Sequence, residues 1–183
     1  MSELTARCLD TFPLWLRSLG DDASGLATLL GGDALGDKAR RHVAGGLNYL
    51  FKSLDLIPDG IEDLGYLDDA FVLRLSAAYA LAEAPPAAGS DAATLLGRLA
   101  GEAALIDELL GDVGPRLRTY VRGLVKGAAR GRTVEEIVSD RSVCSAFVSE
   151  VHGWARGYEA PAFTRDDKTL VTLHSFLATR LPA

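Results

Sequence analysis

Hydrophobic residues recur at intervals of three and four along most of the chain, which is the period of an amphipathic α-helix. No stretch alternates apolar and polar residues over enough positions to predict a convincing strand. We therefore predict an all-α fold, a compact bundle of about seven or eight helices. Residues 1–183 are expected to form a single domain, in which the segment 84–90, APPAAGS, is the one plausible linker.

One predicted helix, in the stretch DDAFVLRLSAAYALAEA at residues 68–84, is apolar on nearly every side. Its only polar residues between Ala70 and Ala82 are Arg74, Ser76 and the hydroxyl of Tyr79. A helix of this kind belongs at the centre of a core. We predict that it is the buried central helix, and that residues 90–183 supply the helices that complete the core.

The charge, the hydropathy and the cysteine content of the chain limit the cellular compartments and the binding partners that we expect. The net charge of -6 arises before residue 70, where twelve acids face six bases, and this balance argues against nucleic acid as a general partner. No apolar run approaches the roughly 20 residues that span a bilayer, and the acid in MSELTARCLD does not suit a signal peptide. Cys8 and Cys144 show no CxxC spacing, so we expect reduced thiols in a soluble, cytoplasmic protein.

The most distinctive stretch is NYLFKSLDLIPDGIEDLGYLDD, residues 48–69, which is rich in carboxylates among leucines and isoleucines. It resembles the hallmark of the bacterial YkvA-like proteins, domain of unknown function 1232, whose pattern reads YLxxPxDLIPDxIPxxGxLDD. The matching residues are Tyr49, Leu50, Asp55, Leu56, Ile57, Pro58, Asp59, Ile61, Gly65, Leu67, Asp68 and Asp69. Ser53 and Glu62 replace two prolines of the pattern.

The resemblance covers residues 40–75 and implies a small helical module with no established catalytic activity. Residues 38–84 would form a helical hairpin with an acidic turn, and some relatives are attached to membranes. The candidate site residues that it marks are Asp55, Asp59, Asp68, Asp69, Tyr49, Pro58 and Gly65.

The carboxylates of this stretch have three interpretations that the sequence leaves open. In the first they are structural: Asp55 accepts the backbone N–H two residues later, and Asp68 is the N-cap of the central helix, with Leu67 and Val72 as a hydrophobic staple. Asp69 would then meet the positive end of the helix dipole. In the second, Asp55, Asp59, Asp68 and Asp69 converge on Mg²⁺ or Ca²⁺, although their spacing is not that of an EF-hand. In the third they bind a protein partner.

A second candidate surface is basic. Residues 116–132 carry six bases and no acid. Arg118, Arg122, Lys126 and Arg130 recur at spacing four, which predicts that they follow one side of a single helix. Such a helix binds phosphates, anionic lipid or an acidic protein surface, or is simply a solvated face. We also consider that it faces the acidic stretch of the same or a neighbouring chain.

The sequence contains no HExxH, GxSxG, Walker or GxGxxG motif, and its histidines lie on separate predicted helices. We therefore predict a non-enzymatic binding or regulatory module with a protein partner, or a second copy of itself, and no cofactor. The alternatives are a divalent-metal-dependent enzyme that uses the acidic turn, and a peripheral membrane adaptor.

Overall fold

The computed structural model describes residues 2–183, which fold into eight α-helices. The helices are α1 Glu3–Gly31, α2 Asp37–Tyr49, α3 Leu67–Glu83, α4 Asp91–Leu110, α5 Gly114–Gly123, α6 Val134–Ser139, α7 Arg141–Gly157 and α8 Asp167–Arg180. Short 3₁₀ turns occupy Gly111–Val113 and Leu124–Lys126, and a two-residue β-hairpin pairs Ala128–Ala129 with Arg132–Thr133. The predicted all-α bundle is confirmed.

Helix α3 lies at the centre of the bundle, between α2 and α4 and against α1. Its side chains from Leu67 to Ala77 are all buried, since the sequence offers no polar face that could remain in water. The ring of Phe71 meets Phe12 and Trp15 of α1, with centroid distances of 5.3 and 5.9 Å. The prediction of a central apolar helix is therefore confirmed.

Helices α2 and α3 approach each other closely because α2 carries glycine at the contact. A Cβ atom on Gly46 would lie 2.5 Å from the Oγ of Ser76, which is too short for any side chain to fit. On another side of α2, a Cβ on Gly45 would lie 3.1 Å from the backbone of Leu124. These two glycines let α2 pack between α3 and the turn that follows α5.

The C-terminal helices cover the other side of α1. Helix α7 packs along α1, and α8 contacts α1 as well. Within residues 2–183, no helix has the length and apolar character required to cross a membrane.

The predicted single basic helix is wrong in its extent. Helix α5 ends at Gly123, and the chain then turns into the β-hairpin. At the tip of that hairpin Arg130 and Gly131 have φ values of 50° and 73°, the left-handed pair that a tight hairpin turn requires. Spacing four places residues on one side only within a continuous helix, so Arg118 and Arg130 do not share a face.

Candidate functional site

The acidic turn, residues 54–69, is held from the inside by Tyr49 and Asp68, both of which are fully buried. The Tyr49 hydroxyl donates to Asp68 Oδ2 at 2.5 Å and accepts the backbone N–H of Leu56 at 2.8 Å. The N–H of Ile57 donates to the same Asp68 oxygen at 3.1 Å. Two buried backbone donors are thereby satisfied by two side chains, so this part of the turn is fixed.

Two of the structural roles predicted for the acids are wrong. Helix α3 begins at Leu67 with Tyr66 as its N-cap residue, so Asp68 lies in the first turn and is neither the N-cap nor flanked by the predicted staple. The N–H of Ile57, which Asp55 was expected to accept, donates to Asp68 instead. Asp69 does lie in the first turn of α3, near the positive end of the dipole.

The second half of the turn depends on Pro58 and Gly65. The carbonyl of Pro58 accepts the N–H of Ile61 at 3.0 Å, and the N–H of Gly65 donates to the Ile61 carbonyl at 2.8 Å. A Cβ atom on Gly65 would overlap the carbonyl oxygen of Asp59, so only glycine fits there without movement of the backbone. Asp63, with φ 65°, accepts the N–H of Thr164 through Oδ1 at 2.7 Å and ties the turn to the segment before α8.

Asp55, Asp68 and Asp69 each carry a buried carboxylate oxygen, and we call these three residues the carboxylate pocket; Asp59 is exposed. Each of the three has one buried oxygen without a hydrogen-bond partner among residues 2–183, namely Asp55 Oδ1, Asp68 Oδ1 and Asp69 Oδ2. Burial first, and then the neighbouring carboxylates, raises the pKa of Asp55 to about 7 and the pKa of Asp69 well above its ordinary value. Burial also raises the pKa of Asp68. The pocket therefore holds protons under conditions in which exposed aspartates are ionised.

A metal site at the acidic turn would require several ligand side chains to lie close together. Across the described part of the chain, no three His, Cys, Asp or Glu side chains lie together in a group that could hold a metal ion. The divalent-cation interpretation of the acidic turn stays a prediction.

The basic residues singled out in the sequence have partners elsewhere in the fold. Arg118 forms a two-point ion pair with Asp107, at 2.7 and 2.5 Å. Arg130 pairs with Glu150 at 2.9 Å, and the guanidinium of Arg122 lies 5.0 Å from the centre of the Tyr79 ring. The hypothesis that these arginines neutralise the acidic turn within the chain is therefore wrong for Arg118 and Arg130.

Lys126 instead lines a groove of about 520 Å³, which we call the lysine groove. Its lining residues include Lys52, Pro115, Arg116, Thr119, Tyr120, Leu124 and Lys126, and no acidic side chain is among those identified in residues 2–183. Lys52 is held in place: its Nζ donates to the Tyr120 hydroxyl at 3.1 Å and lies 5.4 Å from the centre of that ring. Sequence reasoning missed Lys52, although it follows Tyr49 by three residues within the motif.

Sequence reasoning also missed a buried ion-pair network around Arg74, which has no exposed surface. Arg74 pairs with Glu102 at 2.8 Å and with the buried Asp22 at 3.4 Å, and its guanidinium lies 4.1 Å from the centre of the Trp15 ring. Asp22 also accepts from Arg98 at 2.5 Å. A single arginine in an otherwise apolar helix was the available signal. The network joins α1, α3 and α4.

The fold and this site define an all-α protein whose acidic segment is a structural turn over a buried carboxylate pocket. Residues 39–75 match the model of the family described as "Protein of unknown function (DUF1232)". This match confirms the resemblance to domain of unknown function 1232 that the motif indicates, and it covers α2, the acidic turn and the first half of α3. No curated protein and no solved structure matches the chain.

Proposed function

We propose that the protein is a non-enzymatic binding module that takes an acidic segment of a partner protein in the lysine groove. The observation that supports this most directly is the charge of the groove. Lys52, Arg116 and Lys126 supply positive charge there, while the other side chains that line the groove are uncharged. A partner with carboxylates would meet complementary charge over a partly apolar floor.

The three cations differ in how they are held. Arg116 is fixed by donating to the carbonyls of Leu181 and Pro182, so its charge is placed but its donors are partly used. Lys52 is oriented by Tyr120 and keeps two further N–H donors on its ammonium group. Lys126 is exposed at the groove edge. Lys52 is thus the side chain best placed to donate to an incoming carboxylate.

A non-enzymatic role is supported by the burial of two of the motif acids, Asp68 and Asp69. Asp68 is committed to Tyr49 and Ile57, and Asp69 lies beneath the turn with 3% of its surface exposed. General acid–base catalysis needs a group within hydrogen-bond reach of a substrate atom. Buried carboxylates that hold the turn do not offer that reach.

The test uses the full chain and a fluorescein-labelled hexaglutamate peptide at low salt. In fluorescence anisotropy, Lys52→Glu combined with Lys126→Glu should weaken binding by about tenfold or more, because close charge pairs contribute on that scale. The matched control, Lys38→Glu with Lys168→Glu, makes the same charge change at exposed positions outside the groove. Equal weakening by both pairs, or no binding by the unmodified protein, would overturn the proposal.

A membrane surface is the second candidate, because Leu54 is 82% exposed and lies two residues from Lys52. An exposed leucine beside basic groups can enter the acyl boundary while the lysines meet anionic headgroups. Co-sedimentation with phosphatidylserine-containing vesicles separates the two functions. Sedimentation that Leu54→Ser abolishes would favour the membrane, whereas hexaglutamate binding that Leu54→Ser leaves unchanged would favour the protein partner.

A divalent cation in the carboxylate pocket is a third candidate, suggested by the unpartnered buried oxygens, although no three acidic, histidine or cysteine side chains of residues 2–183 form a group that could hold a metal ion. A thermal melt with chelator, and then with Mg²⁺, Ca²⁺ or Mn²⁺, tests it, since a ligand bound only by the folded state raises stability. A rise in melting temperature that Asp69→Asn removes would support the cation. Unchanged melting would leave the pocket as a site for protons alone.

A further inference from the structure

Three aromatic side chains meet where the end of the acidic turn packs on α7, and we call the cleft beside them the aromatic niche. Tyr66 comes from the turn, Trp154 lies in the last turn of α7, and Tyr158 is the residue that follows this helix. The Trp154 and Tyr158 rings are stacked with centroids 5.1 Å apart, and the Tyr66 ring is nearly perpendicular to Tyr158 at 85° and 5.2 Å. The three rings therefore lie side by side in two different orientations.

The niche has a volume of about 490 Å³ and is lined by Tyr66, Gly153, Trp154, Gly157, Tyr158 and Glu159. A Cβ atom on Gly157 would meet nothing within 4 Å, so the glycine leaves open space beside the rings. A ligand group can thus reach aromatic faces that a larger residue would shield.

The one charged side chain among the lining residues identified in residues 2–183 is acidic. Glu159 is exposed on the rim of the niche, and the lining residues identified within residues 2–183 include no lysine or arginine. Burial, and after it the neighbouring Asp69 and Tyr66, raises the pKa of Tyr158. One cation is near: Arg156 has a guanidinium nitrogen 3.8 Å from the Cβ position of Gly153.

The rings are fixed before any ligand arrives. The Tyr158 hydroxyl donates to the Leu16 carbonyl at 2.7 Å, which anchors that ring to α1. Tyr66 has φ 67°, a left-handed conformation that bulky residues rarely adopt and that persists only where the surroundings impose it. The neighbouring Gly65 cannot accept a side chain, so the backbone that presents Tyr66 is constrained on both sides. A preorganised site loses less entropy on binding.

We infer that the aromatic niche binds a trimethylammonium group, independently of the proposed function of the lysine groove. A trimethylammonium cation has no N–H to satisfy and is weakly hydrated, so it is recognised by aromatic faces and nearby negative charge rather than by hydrogen-bond acceptors. The niche is lined by the rings of Tyr66, Trp154 and Tyr158 and by the acidic side chain of Glu159. The group could belong to a choline-type small molecule or to a trimethylated lysine.

The experiment is calorimetric titration of the full chain with choline, with free Nε-trimethyllysine, and with 3,3-dimethylbutan-1-ol, the uncharged isostere of choline. We expect the cations to bind about tenfold or more tightly than the isostere, as a desolvated cation–π contact predicts. Tighter binding of choline assigns the niche to a small molecule, and tighter binding of trimethyllysine assigns it to a modified side chain. Either result supports the proposal.

Variants separate recognition from folding. Trp154→Leu should abolish binding, and circular dichroism checks that it folds. Glu159→Gln changes an exposed side chain and should weaken the binding of both cations several-fold. Arg156→Ala should strengthen their binding, because it removes a positive charge that repels them. The proposal is overturned if the isostere binds as tightly as choline, if no cation binds the unmodified protein, or if Glu159→Gln and Arg156→Ala both leave affinity unchanged.

Discussion

Replacing Tyr49 by phenylalanine removes a single buried oxygen atom and keeps the ring. That oxygen accepts the N–H of Leu56 at 2.8 Å and donates to Asp68 Oδ2 at 2.5 Å. The substitution therefore leaves a buried amide without an acceptor and a buried carboxylate with one donor fewer. The N–H of Ile57 remains as a donor to Asp68.

The magnitude follows from these two losses. A buried backbone donor left without a partner costs about 1–3 kcal/mol, and a hydrogen bond to a charged group contributes about 1.5–3 kcal/mol. Because a protonated Asp68 would reduce the second contribution, we expect Tyr49→Phe to lower the free energy of unfolding by about 3 kcal/mol in total. Domains are stable by only about 5–15 kcal/mol, so the change is large enough to measure.

The assay is equilibrium unfolding in urea at neutral pH, with Tyr120→Phe as the matched control. The Tyr120 hydroxyl accepts from the solvent-accessible Lys52, and its removal should cost less than about 1 kcal/mol. Native-state hydrogen exchange should also show faster exchange of the Leu56 amide in Tyr49→Phe. If Tyr49→Phe costs no more than Tyr120→Phe, then Tyr49 does not hold the turn and the reasoning is refuted.

Two further substitutions probe the same turn. Gly65→Ala should lower the free energy of unfolding, measured in urea, by about 1–3 kcal/mol, because the added methyl group would overlap the carbonyl of Asp59. Gly60→Ala is the control, since its added carbon would have no atom within 4 Å. Asp69 and Asp55 have raised pKa values when folded, so their contribution to stability is fully present below the unfolded pKa of about 3.9 and is lost as pH rises through the folded pKa. The free energy of unfolding should therefore fall from pH 4 towards pH 8. Asp69→Asn should make this fall less steep by up to about 1.4 kcal/mol per pH unit. An identical slope in the unmodified protein and in Asp69→Asn would contradict the raised pKa of Asp69.

The sequence predicts the central helix well because its apolar character is a local property. Between Ala70 and Ala77 only Arg74 and Ser76 are polar, so this stretch has no continuous polar face, and the structure buries all of it. Its predicted N-cap, Asp68, is off by two residues because the N-cap Tyr66 adopts a left-handed conformation, which propensity does not favour for tyrosine.

The roles of the acids could not be predicted in the same way, because their partners are distant. Asp68 accepts from Tyr49, nineteen residues earlier, and only the packing of α2 on α3 brings the two together. Capping rules consider neighbours within one helical turn, so they assigned Asp68 to a helix end. The same limit applies to Arg118 and Arg130, whose partners Asp107 and Glu150 lie outside the basic stretch.

The acidic turn positions both candidate sites, and this arrangement separates structural from functional effects. Lys52 lies in the lysine groove two residues before the turn begins, and Tyr66, near the end of the turn, lies in the aromatic niche. A change that loosens the turn, such as Tyr49→Phe, should therefore weaken hexaglutamate and choline binding together. Lys126→Glu should affect only the first ligand and Glu159→Gln only the second, because each side chain lines one site alone. If the two binding surfaces are separate but share the turn as a scaffold, Tyr49→Phe must weaken the binding of both ligands. Lys126→Glu and Glu159→Gln must then each weaken the binding of one ligand only.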